Sequence, residues 1–217
     1  MKSWMAVQLL CLGIGGALLP ITSAAQRLPD TSRVLRVSVF DDAKVGTTML
    51  RKAEREASQV FRRANIEVIW VSCPQGGLER TSRNPCTEVS YPTHLHLRVA
   101  ARSLGLKKST LGTSFQAADG KGCYADVFQE STLELQEESH VSAATILGHA
   151  MAHELGHLLL GNNSHSGHGL MQAHWEPNEL AQAAKGRLLF SSEESARMRS
   201  RFTSYDSDLV AVFAQEK

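Results

Sequence analysis

The sequence predicts an α+β fold: a mixed, twisted sheet of about four strands with a backing helix, a central helix carrying a histidine-glutamate cluster, and a small, mostly helical C-terminal part. Three observations predict it. Short segments rich in β-branched residues fall in the first half of the chain. Residues 47–64 repeat apolar side chains at helical spacing. Residues 141–160 form a long run with few turn formers, closed by Gly161-Asn162-Asn163.

Val34–Phe40 (VLRVSVF) alternates and reads as the first strand. Thr47–Ala64 places Met49, Leu50, Ala53, Ala57, Val60 and Phe61 along one face, the pattern of an amphipathic helix. Ile66–Val71 (IEVIWV) is the second strand and His94–Ala100 (HLHLRVA) the third. In the third, His94 and His96 share one side, read as a solvated strand face with a second metal site as the alternative. Residues 105–121 read as loop. Cys123–Phe128 (CYADVF) is a short fourth strand, expected at the sheet edge, and a linker leads from it to the helix at 141–160. Near the C-terminus, Ser191 and Glu194 have the spacing of a capping box, opening a helix that runs through Met198 to about Phe202.

Residues 1–25 have the layout of a secretory signal peptide: Lys2 near the start, an apolar run over 6–19, and small residues at 22–25. The expected location is therefore secreted or periplasmic, with no stable membrane insertion after cleavage. Lys2 is the one charged residue of that leader, so the remainder carries as many acidic as basic side chains. That balance argues against nucleic acid or an anionic membrane as a partner. Residues 26–217 have the length of one domain. In an oxidising compartment Cys73 and Cys86, which flank a loop rich in Gly, Pro, Ser and Asn, are expected to pair, leaving Cys123 as a free thiol.

Chemistry concentrates in His153-Glu154-Leu155-Gly156-His157. On a helix, residues four apart lie one turn apart on the same face. Two imidazoles so placed can share one zinc ion, with the intervening glutamate beside it as general base, the arrangement of a zinc-dependent hydrolase. A catalytic zinc normally takes three protein ligands and leaves a fourth position open. Six of the nine histidines lie between 149 and 174. His165 is the expected third ligand, because a chain reversing at Gly161 returns it beneath the helix. His168 and Glu179 are the alternatives, and Pro177 also reads simply as the start of a further helix. His149, one turn before His153, suits a group behind the ligands or plain packing equally.

The string HELGHLLLGNNSHSGHGLM at 153–171 resembles the metzincin clan of zinc peptidases, whose signature is H-E-x-x-H-x-x-G-x-x-H followed by a methionine-containing turn. His153, Glu154 and His157 match directly. Gly161 falls one residue late, His165 two residues late, and Gly169-Leu170-Met171 arrives early for the methionine turn. The block is similar to one in small secreted bacterial relatives of that clan. The resemblance implies a zincin-like domain with an upper part at about 33–160 and a lower part at about 161–217. It implies Zn2+ held by His153, His157 and His165, Glu154 as the catalytic base, and Met171 as an apolar floor under the metal. It further implies a peptide or protein substrate bound along an edge strand, for which 123–128 is the candidate, and Tyr124 or backbone amides there as donors to the developing oxyanion. A secreted zinc endopeptidase is the leading expectation. A zinc-binding protein without catalysis and a small-molecule zinc hydrolase are the alternatives.

Overall fold

A computed structural model describes residues 33–74, 84–107 and 109–215, with side chains described as far as 205. The expected leader at 1–25 lies outside the described residues. Among those described, no helix is long and apolar enough to cross a membrane.

The chain forms β1 (Arg33–Asp41), α1 (Thr47–Arg63), β2 (Ile66–Cys73), β3 (His94–Ala100), β4 (Gly112–Phe115), β5 (Tyr124–Phe128), α2 (Gln129–Ser139), α3 (Ala143–Leu160), α4 (Pro177–Ala184) and α5 (Ser192–Gln215). The strands make a five-stranded mixed sheet in the order β2-β1-β3-β5-β4. β1 is parallel to β2 and β3, β3 is parallel to β5, and β4 runs antiparallel to β5.

One sheet face carries Leu35, Val37, Val39, Leu95, Leu97, Val99, Ala125 and Val127, all buried. They belong to a single apolar core with Leu50, Ala53, Ala57, Val60 and Phe61 of α1 and Leu147, Met151, Leu155 and Leu158 of α3. The alternation in β1 and the periodicity in α1 thus face the same interior. α3 is capped at its start by the Ser142 hydroxyl, which accepts from the Thr145 N–H at 3.2 Å. Nearly all of its residues are buried, so it is a core helix rather than an amphipathic surface one. α5 opens on the expected capping box: Ser191 N donates to Glu194 Oε2 at 2.7 Å, and Glu194 N donates to Ser191 Oγ at 3.1 Å. Arg197 and Arg201 of α5 both donate to the Leu160 carbonyl, and Arg199 donates to the Ala64 carbonyl. These arginines satisfy carbonyls left open at the C-terminal ends of α3 and α1.

Four expectations are corrected. The sheet has five strands, because the stretch at 105–121 contains β4. Consequently 123–128 is not an edge: β5 lies between β3 and β4, and the edge strand is β4. The linker before the central helix is α2. His94 and His96 are buried, neither solvated nor gathered into a metal cluster. His94 Nε2 lies 2.8 Å from Ser38 Oγ, and His96 Nε2 lies 2.8 Å from the Glu88 carbonyl. The segment that covers them, 84–93, is tied to the end of β2 by a Cys73–Cys86 disulfide. Cys123 is free and half-buried.

Candidate metal centre

His153, Glu154 and His157 lie in the C-terminal half of α3. The helix ends at Gly161, whose φ of 91° is a conformation suited to glycine and whose N–H donates to the His157 carbonyl at 2.9 Å. Asn163 follows at φ 55° and continues the reversal. His165 thereby comes back against the helix. Its Nε2 stands 3.1 Å from His157 Nε2, which is itself 2.9 Å from His153 Nε2. The possible ligand atoms of the three residues lie within 4.8 Å of one another. Nitrogens bound tetrahedrally at zinc-like bond lengths stand about 3.3 Å apart, so the observed spacing fits one ion.

The opposite ring nitrogens explain how the rings are held. His153 Nδ1 donates to the Leu170 carbonyl at 2.8 Å. That acceptor fixes the proton on Nδ1 and leaves Nε2 unprotonated in the neutral ring. Trp175 Nε1 donates to the same carbonyl at 3.1 Å, and its ring packs edge-on to that of His153. His157 Nδ1 meets the hydroxyl of buried Ser164 at 2.6 Å. Gln116, just after β4, donates its side-chain amide to the His157 carbonyl. Burial holds the pKa of His153 down at about 4 and that of His157 at about 3, with the neighbouring imidazoles adding in the same direction. Neutral imidazole is the ligating form, so the surroundings favour metal over proton.

Glu154 is 6% exposed, and burial, with Asp126 adding to it, pushes its carboxyl up to about 8. It lines the same cavity as His153, His157 and His165, a space of about 600 Å3 bounded on one side by Leu111–Ser114 and on the other by Gln172–Trp175. Within the motif, fully buried Met171 reaches Gly156: a Cβ on that glycine would lie 2.9 Å from Met171 Sδ and 2.7 Å from Phe190 Cε1. Met171 also accepts, through its carbonyl, the N–H of Ser166 at 2.9 Å.

The remaining candidates stand elsewhere. His168 is exposed and outside the cluster. Glu179 closes a capping box at the start of α4, its carboxylate accepting the Glu176 N–H at 3.1 Å. His149 is buried one turn before His153, its Nδ1 2.8 Å from the Thr145 carbonyl and its ring edge-on to Trp175, and it lies outside the three-histidine cluster. Tyr124 is half exposed, packs edge-on to His96 and does not line the cavity. Sequence reasoning did not single out Gly112, Gln116, Gly156 or Ser164. The first two belong to a strand region read as loop. Ser164 left a signal, a hydroxyl seven residues beyond the second histidine in the reversal after the helix, but nothing in a lone sequence separates it from any turn serine.

No protein-family model matches the chain, and no curated protein matches it by sequence. Solved structures do. A zinc-dependent peptidase from Methanocorpusculum labreanum superposes with a TM-score of 0.50 at 16% identity, over 75% of this chain and 99% of the other. Archaemetzincin from Methanopyrus kandleri superposes with a TM-score of 0.53 at 13% identity, over 81% of this chain and 99% of its own. With a mixed five-stranded sheet, a central helix bearing the histidine pair and a third histidine returned by the following turn, the chain has the metzincin-like zinc metallopeptidase fold.

Proposed function

We propose that the chain is a secreted zinc-dependent endopeptidase in which Glu154 is the general base. The observation that carries this reading is the convergence of three histidine Nε2 atoms beside a buried glutamate, in a cavity bordered by a free strand edge. His153, His157 and His165 would hold the zinc through Nε2. When bound, zinc supplies Lewis acidity toward a water and toward the scissile carbonyl.

The protein's own groups do the rest. A peptide laid in extended form along the free edge of β4 presents its carbonyl to the cavity between that strand and 172–175. A carboxylate oxygen of Glu154 accepts the proton released as water adds to the carbonyl, and returns it to the departing amine nitrogen. The apolar surroundings that raise the Glu154 pKa suit a group that must carry a proton between two partners. The Cys73–Cys86 disulfide supports an oxidising compartment, as does the leader composition.

The test pairs metal analysis with digestion of a random peptide library by the wild type and by Glu154→Gln. The expected result is one zinc per chain in both proteins and internal peptide cleavage in the wild type alone. Equal cleavage by the variant would remove Glu154 from the mechanism, and zinc without any cleavage would leave a binding protein.

A further inference from the structure

We infer that Ser164 is a positioning residue for the metal centre: its hydroxyl accepts the Nδ1 proton of His157 and so presents His157 Nε2 as a metal ligand. The inference rests on the zinc-centre reading above and adds a side chain that decides how tightly the centre is loaded.

His157 is the hub of the cluster. Its Nε2 is the atom common to both short contacts, 2.9 Å to His153 Nε2 and 3.1 Å to His165 Nε2. To bind a metal there, a neutral imidazole must carry its single proton on Nδ1. A buried N–H needs an acceptor, and Ser164 Oγ at 2.6 Å is the partner that Nδ1 has. Ser164 is 6% exposed, so water does not readily replace it.

The three ligands differ in how they are held. His153 is tied to a backbone carbonyl, which accepts only and survives any side-chain substitution. His165 is exposed, with its ring packed against those of His153 and His157 and with His174 close enough to act on it electrostatically. His157 is held at Nδ1 by a side-chain hydroxyl. Its backbone is fixed separately, since its carbonyl accepts from Gln116 and from Gly161 N. Removal of the hydroxyl therefore frees the ring and its tautomer while leaving the helix in place. Without an acceptor at Nδ1 the proton can move to Nε2, where it is shared with His153 and competes with the metal.

The experiment measures zinc affinity by competition with a chromophoric chelator for the wild type, Ser164→Ala and Ser164→Thr, with ring 15N NMR of the zinc-loaded wild type. Loss of such an outer partner typically weakens metal binding about 10–100-fold, and that loss is expected for Ser164→Ala. Ser164→Thr keeps the hydroxyl and should stay close to the wild type. The 15N spectrum should show the His157 proton on Nδ1. Activity per zinc-loaded molecule should change far less than affinity. Equal zinc affinity in wild type and Ser164→Ala would overturn the inference while leaving the zinc reading intact. A His157 proton found on Nε2, with metal on Nδ1, would overturn it even if Ser164→Ala failed to fold. A wild type that binds no zinc would instead bring down the functional reading, and this inference with it.

Discussion

Gly112 and Glu154 approach so closely that a Cβ on the glycine would lie 2.5 Å from Glu154 Cγ and 2.7 Å from its Oε1. The same Cβ would lie 2.8 Å from the Asp126 carbonyl of the neighbouring strand. Gly112 begins the edge strand, and its register with Val127 places it over the central helix. The absence of a side chain there lets the strand edge and the proposed base border one cavity. Gly112→Ala is therefore expected to displace the Glu154 side chain or lift β4, with a loss of roughly 1–3 kcal/mol for overpacking. Zinc content should stay at the wild-type level while kcat falls on the order of tenfold or more, as expected when a reacting group is misplaced. Metal analysis alongside peptide hydrolysis checks this, and unchanged kcat would show that Glu154 has room to spare.

What the sequence made legible depended on whether a segment carries its own pattern. α1 shows its apolar face because one side meets the core and the other meets water. The histidine pair was legible because helical spacing alone puts His153 and His157 on one face. β4 was not, since Gly112-Thr113-Ser114-Phe115 has no alternation and exists through its pairing with β5. α2 was missed for a related reason: in QESTLELQEES the fully buried residues are Ser131 and Thr132, so no apolar stripe marks it. β5 reads as an edge strand because the resembled clan has its fourth strand at the cleft edge, and β4 leaves no pattern of its own to show that another strand lies outside it. In the fold Asp126 pairs with Arg98 of the adjacent strand, Arg98 Nε donating to Oδ1 at 3.0 Å. His94 and His96 were misread because alternation tells which residues share a face, while the cover over that face comes from a distant segment.

Gly156, inside the histidine motif, sits where α3 meets Met171 and Phe190. A methyl group there would meet Phe190 and Met171, both buried. Gly156→Ala would gain helix propensity of about 1 kcal/mol, and the close contacts should outweigh it. The expected outcome is a lower Tm and weaker zinc binding than in Met171→Leu, which keeps the volume. Thermal melts with and without zinc distinguish the two. A Gly156→Ala protein more stable than the wild type would mean that Phe190 simply turns aside.

The disulfide and the metal centre should behave as separable features. Closing a loop of this length by a crosslink contributes about 3 kcal/mol through the unfolded state, and Cys73 and Cys86 are 13 residues apart. The crosslink also holds the segment whose carbonyls at Pro85 and Glu88 serve Ser38 and His96. Cys73→Ser with Cys86→Ser is expected to lower unfolding free energy by roughly 2–4 kcal/mol, with zinc affinity unchanged. Denaturant unfolding and chelator competition on the same sample check both halves. A large loss of zinc affinity would reveal coupling across the sheet.

The metal-free protein should be most stable near pH 6, and the two flanks have different origins. His153 and His157 fold with pKa values of about 4 and about 3, below their ordinary 6.5. As pH falls through 6.5 the unfolded chain takes up protons that the folded chain refuses, so stability drops on the acid side. His94, His96 and His149, each also lowered by burial, steepen that flank. Glu154 acts in the other sense, with a folded pKa of about 8 against an ordinary 4.5. Between those values the folded chain keeps a proton that the unfolded chain has released, so stability declines as pH rises toward 8. Zinc should flatten the alkaline flank, because a divalent charge beside Glu154 favours its carboxylate form. It should also extend stability toward acid until protons displace the metal from the imidazoles. Thermal melts from pH 4.5 to 9, with chelator and with zinc, test the scheme. A metal-free protein whose Tm rises steadily through pH 9 would contradict the assignment of a protonated, buried Glu154.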